Sequence, residues 1–217
     1  MNEYKTPGRE ASAELTERKS RFIGYVRPVQ DPKGAACFLA EIKSLHPQAR
    51  HHVYAYRLRD GQLCRFSDDG EPQGTAGKPV LDILTGRELW DACFVVVRYF
   101  GGILLGTGGL VRAYSQAAAQ AAQAAGTALM RPCVRVSLDC EYHQYGKLAS
   151  ALALFDGWEE ESGFGERVQF RAVLPAEQKT AFARQVQELT GGQSKIIEEE
   201  EKYFPFAAGE NGNLSNK

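Results

Sequence analysis

The sequence predicts an α+β protein of two domains, and three observations carry that prediction. Residues 92–100, "ACFVVVRYF", form an unbroken apolar run of the kind that makes a strand buried on both faces. An alanine-rich segment follows, "LVRAYSQAAAQAAQAAG", whose composition alone favours a helix ending at Gly126. Beyond Pro132 the elements read strand, helix, strand, strand, helix, strand, which is the ferredoxin-like split βαβ order. Residues 1–132 are therefore assigned to a first, mixed domain and 133–206 to a second. Residues 207–217 are too poor in apolar side chains to order themselves and are expected to be a disordered tail.

Each element has its own signal. "ELTERKSRFIGYVRPV" alternates around Phe22, Tyr25 and Val29, which predicts two short strands or one bent strand ending near Pro28. Asp31 caps a helix with Pro32 in its first position, and Phe38, Ile42 and Leu45 form its core stripe before His46-Pro47 stops it. "HHVYAYRLRDG" and "LCRFS" read as a hairpin about Asp60-Gly61. "KPVLDILTG" is a short helix. In the second half, "VRVSLDCEY" is a strand and "QYGKLASALALF" a helix with Leu148, Leu152 and Phe155 on one face. "WEEESGFG" with "ERVQFRAVLP" forms a hairpin, "AEQKTAFARQVQELTGG" a helix on Phe182, Val186 and Leu189, and "SKIIEEEEKYF" a last strand. Glutamates 198–201 would alternate faces on that strand, as on a solvated edge.

Composition narrows the function. The chain has 217 residues, 43% of them hydrophobic, enough for real cores. A net charge of −1 excludes a globally basic nucleic-acid binder. The charge is uneven, however. Residues 1–130 hold 16 basic against 13 acidic side chains and the remainder 10 against 14, so a polyanion would meet the first half more readily. Five widely spaced cysteines without a C-x-x-C pair fit a reducing cytoplasm. No run approaches the roughly 18 apolar residues of a membrane span, and the first residues lack the apolar core of a signal peptide.

Two polar, glycine-rich segments remain. "RFSDDGEPQGTAGKP" (65–79) is not a P-loop, because Pro72 stands where the first glycine belongs and Pro79 where the Mg²⁺-binding hydroxyl should be. "GGILLGTGGLVRAY" (101–114) lacks the dinucleotide spacing, yet it follows a buried strand and opens a helix near Gly109. A helix start presents unpaired N–H groups that can receive a phosphate; alternatively the glycines only make a tight strand-to-helix crossover. Asp68, Asp69 and Glu71 lack the histidine or further carboxylate that would complete a metal or acid–base cluster and also read as turn formers. His51 and His52 point to opposite faces of a strand and read as structural. Ser67 and Ser115 sit in no nucleophile elbow. No catalytic residue, metal or cofactor is assigned. The candidate binding residues are Arg65, Asp68, Asp69, Glu71, Thr75, Gly77 and Lys78 on the first segment. On the second they are Arg98, Tyr99, Gly101, Gly102, Gly106, Thr107, Gly108, Gly109 and Arg112.

"KSRFIGYV", "ARHHVYAYRL", "RFSDDGEPQGTAGKPVLDIL" and "VVVRYFGGILLGTGGLVRAYSQA" together resemble the IMPACT family, known in bacteria as the YigZ type, over residues 18–120. The resemblance implies a two-layer α/β first domain like a small-subunit ribosomal protein domain and domain IV of elongation factor G. It also implies a ferredoxin-like second domain and a role in translation. Eukaryotic members regulate the amino-acid-starvation stress response by binding the activator of an initiation-factor kinase through an extra N-terminal domain. The family block here begins near Lys19, so that contact is not expected. Two functions are compatible with these signals. One is a non-enzymatic regulator whose first domain binds RNA, the ribosome or a translation protein; the other is an enzyme or small-ligand protein with its site between the two segments. An open face exposing Arg65, Lys78, Arg98 and Arg112 together favours the first, and a concave pocket favours the second.

Overall fold

The computed structural model describes residues 2–207, which divide into two compact units, Tyr4–Leu129 and the chain from Met130 onward with its first residues. The first unit is built from β1 (Tyr4–Pro7), β2 (Ala11–Glu17), β3 (Ser20–Pro28), α1 (Pro32–Leu45), β4 (His51–Leu58), β5 (Leu63–Ser67), α2 (Gly77–Gly86), β6 (Ala92–Tyr99) and α3 (Thr107–Ala125). β7 (Thr127–Cys140) carries the chain past Met130, so the passage near Pro132 is a strand and not a loop.

The sheet of the first unit has the order β2-β3-β6-β4-β5, and every residue of β6 from Ala92 to Arg98 is buried. Strand alternation then sorts the side chains into two cores. Phe22, Val26, Val53, Phe94 and Val96 pack with α2 and α3, whereas Ile23, Cys93, Val95 and Val97 pack with Phe38 and Ile42 of α1. The first unit is α/β as expected, but its helices lie on both faces of the sheet, three layers where two were expected, because β6 is apolar on both faces. α3 lies close to β3 because its buried residues Ala117 and Ala121 meet a glycine: a Cβ on Gly24 would stand 2.5 Å from the Ala117 carbonyl oxygen.

Local chemistry explains the turns. Arg18 and Lys19 both take positive φ, 46° and 63°, between β2 and β3, the geometry that matches hairpin twist. The Asp31 carboxylate accepts from the Gly34 amide at 2.6 Å and caps α1, with Pro32 at its start. Leu45, expected in the core stripe, is 62% exposed. The inward place at this end goes to His46, whose ring nitrogens lie 2.6 Å from the Tyr25 hydroxyl and 2.9 Å from that of Tyr99. Burial holds the His46 pKa below its ordinary value. The β4–β5 hairpin turns through a short 3₁₀ segment, Asp60–Gln62, rather than a two-residue turn, because the register pairs Leu58 with Leu63.

The second unit adds α4 (Tyr142–Leu154), β8 (Trp158–Phe164), β9 (Val168–Pro175), α5 (Lys179–Thr190) and β10 (Ile197–Ala207). β9 lies between β7 and β8, and β10 pairs with β7, which is the ferredoxin-like order. Leu148 and Leu152 of α4 and Phe182 and Val186 of α5 cover Val136, Leu138 and Phe170. Of the four glutamates, Glu198 bonds Lys179, Glu199 bonds Ser137 and Arg171, and Glu200 bonds Arg135 and Lys202. Ala207 closes β10, and the rest of the expected tail lies outside the described residues.

Candidate functional site

An arginine in the apolar run of β6 needs a buried counter-charge, since an unpaired one is costly to desolvate. Arg98 has it. Its Nη1 donates to Glu71 Oε1 at 2.6 Å, and the two side chains are 6% and 4% exposed. The Tyr114 hydroxyl of α3 donates to the same oxygen at 2.7 Å, so one carboxylate ties the first segment to strand and helix. Burial, then the neighbouring Glu71 charge, pushes the Tyr114 pKa far up and keeps it a donor. Arg98 Nε is buried with no hydrogen-bond partner among the described residues.

The other two carboxylates also hold the segment in place, each in a different direction. Asp68 accepts from the amides of Gly74, Ala76 and Gly77 at 2.8, 3.1 and 2.8 Å, which fixes the start of α2. Asp69, at φ 43°, accepts from the His52 amide at 2.6 Å and offers its carbonyl to His51 Nδ1 at 2.8 Å. His51 Nε2 then stands 3.9 Å from Glu71. Thr75 is buried and donates to the Pro72 carbonyl at 2.6 Å. Gly77 is required where it is, because a Cβ there would lie 2.7 Å from the Ser67 carbonyl.

The second segment leaves β6 and opens α3. Gly101 passes so close to the Lys19 carbonyl that no side chain fits, while Gly102 and Gly106 take φ values of 84° and 73°. α3 starts at Thr107, two residues before the expected Gly109. Gly106 gives it no side-chain cap, and its first helical bond runs from the Leu110 amide to the Gly106 carbonyl. The amides of Thr107, Gly108 and Gly109 are therefore left without helical partners. Arg112 is exposed beside them, its Nη1 3.9 Å from where a Gly108 Cβ would stand.

Both segments line one cavity of about 410 Å³, walled by Glu71 and Pro72 on one side and by Arg98, Phe100, Leu104 and Thr107 on the other, with Arg50 and His51 completing it. Its walls are unusually apolar for a charged site: Phe100 is 46% and Leu104 80% exposed. Of the sequence candidates it gathers Glu71, Arg98, Gly106 and Thr107, with Arg112 alongside. It does not gather the others. Arg65 is exposed on β5, Lys78 is paired with Asp82, and Tyr99 turns its hydroxyl to His46. The four cations thus do not form one exposed face. Sequence reasoning missed Arg50, Phe100, Leu104 and Tyr114; the unbroken "YFGGILL" was a readable sign that apolar side chains stand in the loop. A larger hollow of about 540 Å³ in the second unit is lined by Glu161 and Arg171, which are already paired with each other. Among the described residues no His, Cys, Asp and Glu group is placed to hold a metal, and no helix is long and apolar enough to cross a membrane.

Residues 18–122 match the Impact N-terminal domain and residues 138–193 a domain of unknown function, DUF1949. The chain is 39% identical over 187 residues to the IMPACT family member YigZ of Escherichia coli, covering 85% of this chain and 92% of that protein. It is 34% identical over 208 residues to the IMPACT family member YvyE of Bacillus subtilis, covering 95% and 96% respectively. Protein IMPACT of Bos taurus is 33% identical over 96 residues, 42% of this chain and 30% of its own length. A crystal structure described as that of a hypothetical protein superposes with a TM-score of 0.60 at 36% identity, covering 93% of this chain and all of its own. Fold and site define a two-unit α/β protein with an uncapped helix terminus over a partly apolar cavity. The chain belongs to the IMPACT family.

Proposed function

We propose that the protein is a non-enzymatic, translation-associated regulator whose first unit binds RNA, free or in the ribosome, through the face around the start of α3. The observation that carries this reading is the uncapped α3 terminus, open beside Arg112 and over a cavity with Arg50 and Arg98 in its wall. Translation as the process is carried over from what the resemblance to the IMPACT family implies. Asp68, Asp69 and Glu71 are all engaged in holding the segment, which favours recognition over acid–base chemistry. Five free thiols suit the reducing cytoplasm. The concavity of the site favours one other reading, a small ligand bound in the same place.

Titration of labelled RNA and purified ribosomal subunits across a salt series tests the proposal. Neutralising a phosphate releases counterions, so Arg112→Ala is expected to weaken binding at every sequence and to make the log–log salt slope shallower by about 0.7 to 0.9. Lys78→Ala should leave the slope unchanged, because Asp82 already holds that ammonium. No binding at low salt would overturn the RNA reading and leave the small ligand.

A further inference from the structure

We infer that the cavity beside α3 seats one unpaired nucleotide of an RNA strand, its phosphate at the Thr107–Gly109 amides and its base against Phe100. This deepens the RNA reading and rests on it. Three observations converge. The anion end is built: the terminus has no side-chain cap, and Arg98, 5% exposed in the cavity wall, has a buried Nε with no partner among the described residues. A buried donor in that state carries a free-energy penalty. The apolar end is built as well. Phe100 stands half exposed in the wall with the Arg98 guanidinium 5.5 Å from its ring centroid, next to Leu104 and Leu110. An exposed aromatic ring beside an arginine is a stacking platform for any base. The size of the cavity, about 410 Å³, suits a single small ligand and not a duplex.

Charge supports the same conclusion. Arg50 and Arg112 are exposed and form no ion pair with another described residue, whereas Arg98 is neutralised by Glu71. Two free cations contribute a salt slope of only about 1.8 on a duplex and about 1.4 on a single strand, too little to hold a duplex by its phosphates. The remaining affinity must come from a base that leaves its stack, and bases in an A-form duplex are not available for that.

Fluorescence anisotropy with a labelled oligouridylate and with an RNA duplex of equal length decides the matter. The single strand is expected to bind at least about tenfold tighter than the duplex. Phe100→Ala should weaken single-strand binding roughly 5- to 150-fold, the range for one lost base stack, with the salt slope unchanged, and Phe100→Trp should restore it. If RNA still binds with its salt dependence while Phe100→Ala has no effect, or the duplex binds as well as the single strand, the nucleotide pocket is overturned and the electrostatic reading stands. Failure of both RNAs to bind at low salt overturns that reading too.

Discussion

Glu71 serves three neighbours with one carboxylate, and its loss should be felt by the whole first unit. In Glu71→Ala the Arg98 guanidinium, on a side chain 6% exposed, is left without a counter-charge, and Tyr114 loses its acceptor. The expected loss of stability in urea denaturation is about 3–5 kcal/mol, the range for breaking one side of a buried pair. A loss below about 1 kcal/mol would place the pair among ordinary surface ion pairs. Replacing both partners, as Glu71→Leu with Arg98→Met, should recover part of the loss, since no charge remains to be desolvated while the buried Tyr114 hydroxyl still lacks its acceptor. The sequence contains the warning in plain form: an arginine inside "FVVVRYF" demands a buried partner. It does not say which carboxylate answers, because the separation of 27 positions from Glu71 to Arg98 is bridged by tertiary packing and by no local spacing. For the same reason Asp68, Asp69 and Glu71 look like a cluster in sequence and point three ways in space.

Elements with a strong local signal were legible to within a few residues. β6 and the end of α3 stand where the apolar run and Gly126 put them. The start of α3 was hidden, because Thr107-Gly108-Gly109 has poor helix propensity and is held helical by the fold rather than by itself. What no periodicity reveals is how near two elements lie. Gly24→Ala tests this directly: the new methyl would press on the Ala117 carbonyl, and the expected cost is about 1–3 kcal/mol from overpacking. Gly86→Ala is the matched control, with nothing within 4 Å of its added Cβ and an expected effect that is neutral or slightly stabilising. Equal effects of the two substitutions on the denaturation midpoint would refute the close packing of α3 on β3.

At the level of the molecule, the split βαβ order made the second unit readable, since its strands and helices each carry a local signal and alternate in a recognisable order, although β7 pairs with the distant β9 and β10. Pro132 was read as the point where the second unit begins; the units divide between Leu129 and Met130, and Pro132 lies inside β7, where the chain stays extended from Thr127 to Cys140. We expect residues 4–129 to fold without the rest of the chain, because the apolar clusters on both faces of the sheet draw only on residues within that unit. Amide resonances of this fragment should be dispersed, and its melting should be cooperative. A collapsed spectrum from a soluble fragment would show that the second unit is needed for the first to fold.

The close passage of Gly101 by Lys19 has a consequence at a distance. The Gly101 amide also donates to Ser20 Oγ at 3.1 Å, and Arg18 reaches the Leu104 carbonyl at 3.4 Å, so the β2–β3 hairpin tip is fastened to the segment that carries Phe100 and Leu104. The tip contributes nothing to the cavity wall, yet it is fastened to that wall through these contacts. A solvent-facing label on it, for instance a fluorophore at Glu17, would act as a remote gauge of occupancy, signalling from outside the cavity whether the segment beneath it is loose or clamped.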